Sequence, residues 1–151
     1  MRTYLVVVDE SPEARVALRF AARRAAKTGG AIEILATIPR TEFTPFGVVQ
    51  ATMEEEAQLR ARALVAAATG EIFEDAGIQP SITVRQGETV AIVRALLAER
   101  NDIAALVLGA AAEGAPGPLI ATFAGAEAGQ LPCPVMIVPG RLSSDAIDRL
   151  S

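Results

Sequence analysis

Five short strand-like runs, each set off by a stretch of helical length, constrain this chain more than any other feature of its sequence. The runs are Tyr4–Val8, Ala31–Ile38, Ser81–Gln86, Ala104–Leu108 and Val135–Val138. The first, YLVVV, is continuously apolar rather than alternating, as a strand buried on both faces must be. Between the runs, helices are expected over Pro12–Lys27, Ala51–Ala76, Glu88–Arg100 and Pro118–Gln130. Strands alternating with helices imply βαβ units, hence a parallel sheet with helices on both faces. The expected fold is therefore α/β, a doubly wound open sheet of five strands. No linker or composition break divides the 151 residues, which read as one domain.

Local signals mark the boundaries. Ser11-Pro12 reads as an N-cap followed by proline at the first helical position, and Gly29-Gly30 stops that helix. Ala14, Ala17, Leu18, Ala21 and Ala25 recur at spacings of three and four and form its buried stripe. Arg15, Arg19, Arg23 and Lys27 recur every four residues on another face, which reads as a solvated helix face rather than a track for an acidic partner. Residues 39–50 contain two prolines, a glycine and two phenylalanines and read as a loop, with Phe43 and Phe46 plugging the core or a subunit interface rather than lying over a ligand pocket. The second helix starts acidic, at Glu54-Glu55-Glu56, in keeping with the helix dipole. Gly70 is its weak point and Gly77 its end, and a short terminal helix is expected after Gly140.

Composition removes several classes of function. The chain has no histidine, which excludes Ser–His and Cys–His nucleophile pairs and the usual zinc site. A net charge of −4 argues against a broad nucleic-acid surface, and 4% aromatics without tryptophan argue against base-stacking platforms. No apolar run approaches the ~20 residues of a membrane span, and MRTYLVVVDE lacks the pattern of a signal peptide. A cytoplasmic protein without nucleic-acid or membrane partners is expected. The single cysteine, Cys133, fits a reducing compartment.

Known catalytic signatures are absent from the sequence. There is no Gly-Lys-Ser/Thr of a Walker loop and no GxGxxG after the first strand. A receiver domain needs an acid ending strand three and a lysine ending strand five, whereas strand three ends near Arg85-Gln86 and the one lysine is Lys27. Asp9-Glu10 reads as an acidic strand end beside a helix start rather than a metal pair. Ser11 has no base to activate it, and Cys133, between Pro132 and Pro134, has no nearby positive charge to make it reactive. No catalytic and no metal residues are assigned. What remains is the stretch Ala104–Thr122, AALVLGAAAEGAPGPLIAT: strand, glycine-rich turn, helix, the geometry in which backbone N–H groups can hold an anion. The ligand site of a doubly wound sheet lies at the strands' C-terminal ends, where strand order reverses. Neighbouring strands one and four would put Asp9 beside Gly109.

Taken together, VVVDESPEARVAL at the first strand, the long second helix leading to VRQGE, the strand ending in Gly109 and the closing LPCPVMIVPG resemble the universal stress protein family over about residues 2–139. The resemblance implies a sheet of order 3-2-1-4-5. In the family's nucleotide-binding branch, a Gly-x2-Gly-x9-Gly-Ser/Thr loop cradles phosphates and ribose. Asp9 corresponds to an adenine-side contact, and Ile38 to an apolar residue lining the base pocket. This chain departs from the loop pattern. Gly109 matches the first glycine, the second falls on Ala112, and the last falls on Ala121 before Thr122, one residue short of the family's spacing. Gly114 and Gly117 are present out of register.

Charge points the same way as the mismatch. No lysine or arginine occurs between Asn101 and Gly140, the loop carries Glu113, and Asp9 and Glu10 stand across the crevice. A crevice of carboxylates with no cationic side chain should repel a triphosphate. The leading expectation is a non-enzymatic stress-response module with weak or lost ATP binding, bound to itself and to an unidentified protein. The rival is an ATP- or AMP-binding switch, with magnesium and at most slow hydrolysis, using Asp9, Ile38, Gly109, Gly114, Gly117 and Thr122. A third reading makes residues 109–118 a partner-docking loop. The last strand, Val135, Met136, Ile137 and Val138, would be an unguarded apolar edge. Universal stress proteins commonly dimerise through this strand, so a two-fold dimer with these strands antiparallel across the axis is expected.

Overall fold

The computed structural model describes residues 2–40 and 47–151, with residues 47–50 described as backbone. The elements are β1 (Thr3–Val7), α1 (Pro12–Thr28), β2 (Ala31–Ile38), α2 (Gly47–Ala76), β3 (Ser81–Gln86), α3 (Thr89–Glu99), β4 (Ile103–Ala110), α4 (Pro118–Phe123), a 3-10 turn at Ala128–Gln130, β5 (Val135–Pro139) and α5 (Ser144–Leu150). The five strands form one sheet of order β3-β2-β1-β4-β5, every neighbouring pair parallel. This is the expected doubly wound α/β sheet.

β1 is buried throughout because it lies at the centre of the sheet between two cores. Tyr4, Val6 and Val8 face α1 and α2, with Ala17, Leu18, Ala21, Ala22 and Ala25 of α1 against them. Leu5 and Val7 face the other way, towards Ile92, Val93, Leu96 and Leu97 of α3 and Phe123 of α4. The small stripe of α1 lets its backbone come close to the sheet. The helix is capped as its sequence indicates: Ser11 Oγ accepts from Ala14 N (3.3 Å), and Gly29 ends it in the left-handed conformation, φ 71°. α2 buries Ala57, Ala61, Val65, Ala68 and Ile72 at helical spacing, continuing without interruption past Gly70.

Closest approach occurs at the end of β4. A side chain at Gly109 would overlap the carbonyl of Glu13, in the first turn of α1. A side chain at Gly140 would come within 3.0 Å of Glu13 Cβ and 2.6 Å of the Ala110 carbonyl oxygen, which accepts the Gly140 N–H at 2.8 Å. Two glycines thus seat the start of α1 against β4 and the exit from β5.

Three expectations are corrected. The stretch 39–50 is not wholly loop: α2 begins at Gly47, four residues early, and the glycine is its first residue rather than part of a turn. Phe43 and Phe46 lie outside the described residues. The fourth helix does not run from Pro118 to Gln130; it stops at Phe123. Beyond Phe123, which is fully buried, the sequence AGAEAGQ offers no large apolar side chain to anchor further turns, and its two glycines oppose helix. The basic row of α1 is not a solvated face. Arg15 pairs with Glu71 (2.6 Å), Arg23 with Asp75 (2.6 Å) and Asp148 (2.7 Å), Arg19 with Asp75 (3.3 Å) and Asp148 (3.8 Å), and Lys27 donates to the Asp148 carbonyl (2.8 Å). Spacing alone showed the row; only tertiary packing supplied its partners from α2 and α5.

Among the described residues, one charged side chain lies inside. Glu33, in β2, is buried and accepts from Arg100 Nη1 at 2.6 Å; Arg100, just past α3, also grips Asp102 through two bonds of 2.7 Å. The Arg100 hydrogen bonds hold the Asp102 carboxyl down to about 2, from an ordinary 3.8.

Two outcomes follow from this packing. Gly109→Ala lowers unfolding stability by about 1–3 kcal/mol in urea titration, the cost of overpacking against a backbone that cannot retreat. A folded-state value below the unfolded one means that Asp102 contributes stability above about pH 4 and loses it as pH falls towards 2. The melting temperature of Asp102→Asn should therefore lie below that of the parent at pH 6, and the gap should close by about pH 2.

Candidate functional site

The C-terminal ends of β1, β2 and β4 open into a cleft of about 440 Å³, closed above by α2 and on one side by the segment leading into α4. Two other hollows, of about 580 and 620 Å³, lie between α1, α2 and α5 and between α2 and β3. Only the first sits where the order of strands reverses, between β1 and β4, which is where a sheet of this kind binds ligands.

One wall is acidic. β1 runs out into Asp9, Glu10 and Ser11, and Glu13 follows in the first turn of α1. Asp9 Oδ1 accepts from the Ser11 N–H (2.8 Å) and from the Ser11 hydroxyl, and Ser11 Oγ in turn caps α1. Asp9 is therefore partly engaged in holding its own turn and helix start. The floor is apolar: Val7, Ile38 and Leu108 at the strand ends, with Ile38 packed on Ala57 and Ala61 of α2. Beside it, the hydroxyls of Thr37 and Thr89 bond to each other at 2.7 Å.

The loop after β4 supplies little. Pro116 and Pro118 have no N–H. The Ala111 N–H is spent within the loop, on the Pro116 carbonyl (3.2 Å). Gly114 and Gly117 adopt φ values of 75° and 121°, which favour glycine, so both serve the path of the chain. α4 has six residues, and its N-cap, Gly117, makes no side-chain bond.

Of the residues singled out from sequence, Asp9, Ile38, Gly109 and Gly117 line the cleft; Gly114, on an exposed turn, and Thr122, on α4, do not. Gly109 has a packing reason to be glycine, independent of any ligand. The expectation of a crevice with no cationic side chain is corrected: Arg60, from α2, lines it opposite the acidic wall. Arg60 is exposed and makes no hydrogen bond or ion pair among the described residues. The stretch from Asn101 to Gly140 holds no cation, and the roof of the cleft comes instead from a helix some fifty residues earlier. The signal was there: Arg60 stands between Ala57 and Ala61, the small residues that let α2 lie over Ile38.

Cys133 is half-buried behind β5, and burial pushes its thiol up, as expected of a structural cysteine. Among the described residues, no three acidic or cysteine side chains gather as a metal site. No described helix is long and apolar enough to cross a membrane.

Comparison with known proteins places this architecture. No match is found among curated proteins. Among solved structures, universal stress protein UspA from Lactobacillus plantarum superposes with a TM-score of 0.73 at 17% identity, over 91% of this chain and 97% of that one. The universal stress protein of Archaeoglobus fulgidus in complex with dAMP superposes with 0.63 at 19% identity, over 91% and 97%. An Arabidopsis thaliana family member with AMP bound gives 0.57 at 13%, over 96% and 94%. At these identities the likeness is one of fold. The sequence profile of the universal stress protein family matches residues 1–139, nearly the whole chain, and the chain belongs to that family.

Proposed function

We propose that this universal stress protein is a non-enzymatic, cytoplasmic binding module, active as a dimer, whose cleft takes an adenine mononucleotide or nucleoside in preference to ATP. The carrying observation is the cleft's charge: among the described residues that line it, Asp9, Glu10 and Glu13 supply three carboxylates and Arg60 one guanidinium. Each further phosphate brings negative charge towards the acidic wall. The loop that would receive it has lost three backbone donors, two to proline and one to an internal bond. The apolar floor around Ile38 suits a flat base, and relatives of the same fold have been crystallised with AMP and dAMP. Arg60 favours the competing reading, a nucleotide switch, because a guanidinium can pair with a phosphate in bidentate fashion.

Dimerisation is supported by the position of β5 at a sheet edge with Ile137 exposed. Val138 is buried in its own protomer and Val135 and Met136 half-buried, so pairing across a two-fold axis would use the strand's backbone with Ile137 as its main apolar contact.

Titration calorimetry distinguishes the readings. The expected dissociation constant for ATP with Mg²⁺ is weaker than about 10 μM, or roughly −7 kcal/mol, with AMP binding at least as tightly. Arg60→Ala should weaken AMP by about three- to tenfold, the discounted worth of an exposed charge-assisted bond. ATP tighter than about 10 μM, and tighter than AMP, would establish the switch instead. In light scattering at micromolar concentration the chain is expected at twice its monomer mass, and Ile137→Lys at its monomer mass.

A further inference from the structure

α2 is apolar on two sides. One side, with Ala57, Ala61, Val65, Ala68 and Ile72, is spent on the core. A second row, Leu59, Ala63, Ala66, Gly70 and Phe73, points outward, and every member of it is exposed. Its steps of four, three, four and three are those by which one helix packs along another. Between Arg62 and Glu71 the helix carries no charge, whereas a helix with one side in water is polar on that side.

The row is part of a wider apolar face. Seven large apolar side chains are exposed among the described residues. Two are Ile137 and Leu150; the other five, Met53, Leu59, Phe73, Ile82 and Val84, all lie on α2 and the edge strand β3. The hollow of about 620 Å³ between these two elements is lined by Val65, Gly70, Phe73, Ile82 and Val84, so the row on α2 runs on into the uncovered side of β3. Continuous exposed apolar surface of this kind marks an interaction site. Gly70 agrees. Glycine in mid-helix is destabilising relative to alanine. A Cβ at Gly70 would meet nothing within 4 Å, so the chain itself gives no packing reason for glycine there. A bare position on a helix lets another backbone come close.

Charge selects the occupant. Arg60 and Arg62 flank the N-terminal end of the row, and Glu71 and Glu74 its C-terminal end. Glu71 meets Arg15, while Arg60, Arg62 and Glu74 make no ion pair among the described residues. The face is cationic at one end, acidic at the other and apolar between, which is its own complement turned end for end. A parallel copy would set like charges together. An antiparallel copy, about a two-fold axis near Ala66, sets Arg60 opposite Ile72, between Glu71 and Glu74, and the symmetry does so twice. Glu55 and Glu56, a turn further out, then fall opposite Gly77 and Ala76, where no charge stands.

We infer that the outer face of α2, with the adjoining side of β3, is a homotypic docking surface whose occupant is a second copy of this chain, packed antiparallel along α2. From Leu59 to Phe73 is about four turns, or about 22 Å. A strip of that length is smaller than a standard interface, so the contact is weak and reversible. β5 lies at the opposite edge of the sheet, so a chain that uses both surfaces passes from dimer to tetramer. The inference rests neither on β5 pairing nor on what the cleft holds.

Sedimentation velocity on the full chain, from about 5 to 500 μM, tests it in the parent and in Ile137→Lys, so that the β5 contact is read separately. Mass should double across that range in both. Phe73→Glu should raise the dissociation constant of this step more than about tenfold. Glu74→Arg should raise it about three- to tenfold at low salt, a difference that about 0.5 M salt removes. Gly70→Leu should also weaken the step while raising the melting temperature, because leucine favours helix, which separates lost docking from lost folding. Constant mass up to the highest concentration overturns the inference and leaves the face to a different partner. Doubling that is equal in the parent, Phe73→Glu and Gly70→Leu overturns it by placing the contact elsewhere. Unchanged affinity in Glu74→Arg at low salt overturns the antiparallel arrangement.

Discussion

The carbonyl of Glu13 is the contact on which the arrangement of this molecule turns. It lies against Gly109, at the end of β4, while Gly140 approaches the Glu13 Cβ. Because neither glycine has a Cβ, the first turn of α1 descends onto the sheet, and the end of β1 and the end of β4 face each other across a narrow opening. The acidic wall of the cleft is a consequence of that descent. Asp9, Glu10 and Glu13 are carried into the opening by the turn that caps α1. The same glycine that a motif search assigns to phosphate binding is therefore required by helix–strand packing, whether or not anything binds.

Beside the surface pairs Arg85–Glu99 and Arg94–Glu127, charge gathers in three settlements. Glu33, Arg100 and Asp102 close the base of the sheet, where a buried carboxylate is met by a guanidinium that is itself held in place by a second acid. On α1, four cations that follow one another every four residues tie down both α2 and α5. In the cleft the balance among the described residues is unequal, three carboxylates to one guanidinium. The first two settlements hold elements together. The third is open to solvent and, apart from the bonds of Asp9 to Ser11, its charges make no pair among the described residues.

Much of the scaffold was legible from residue pattern. A β1 without alternation fits a strand buried on both faces, and caps such as Ser11-Pro12 and Gly29 set the ends of α1 to within a residue. The strand order came from family resemblance rather than from periodicity. Legibility failed where a local signal competed with a distant one. Apolar content near Pro118 suggested a long helix, but past Phe123 nothing was available to bury, and α4 ended. Gly47 suggested a turn and stands instead at the start of α2. The cleft was half legible: Asp9, Ile38 and Gly109 were found through family resemblance and Gly117 through the glycine-rich loop, whereas Arg60, in mid-helix, carries no such mark.

By itself, the sequence determined the succession of strands and helices, that the first strand is buried on both faces, and that no histidine is available for nucleophile pairs or the usual zinc site, because these depend on residue type, periodicity and composition. Tertiary structure alone decided which acids face which bases: that the row on α1 is paired across three helices, that Gly109 is pressed by Glu13, and that Arg60 overhangs the cleft. The reason is physical. Helical period and apolar burial act over a few neighbouring residues and are written locally, while a charge has no partner until folding brings together residues dozens of positions apart.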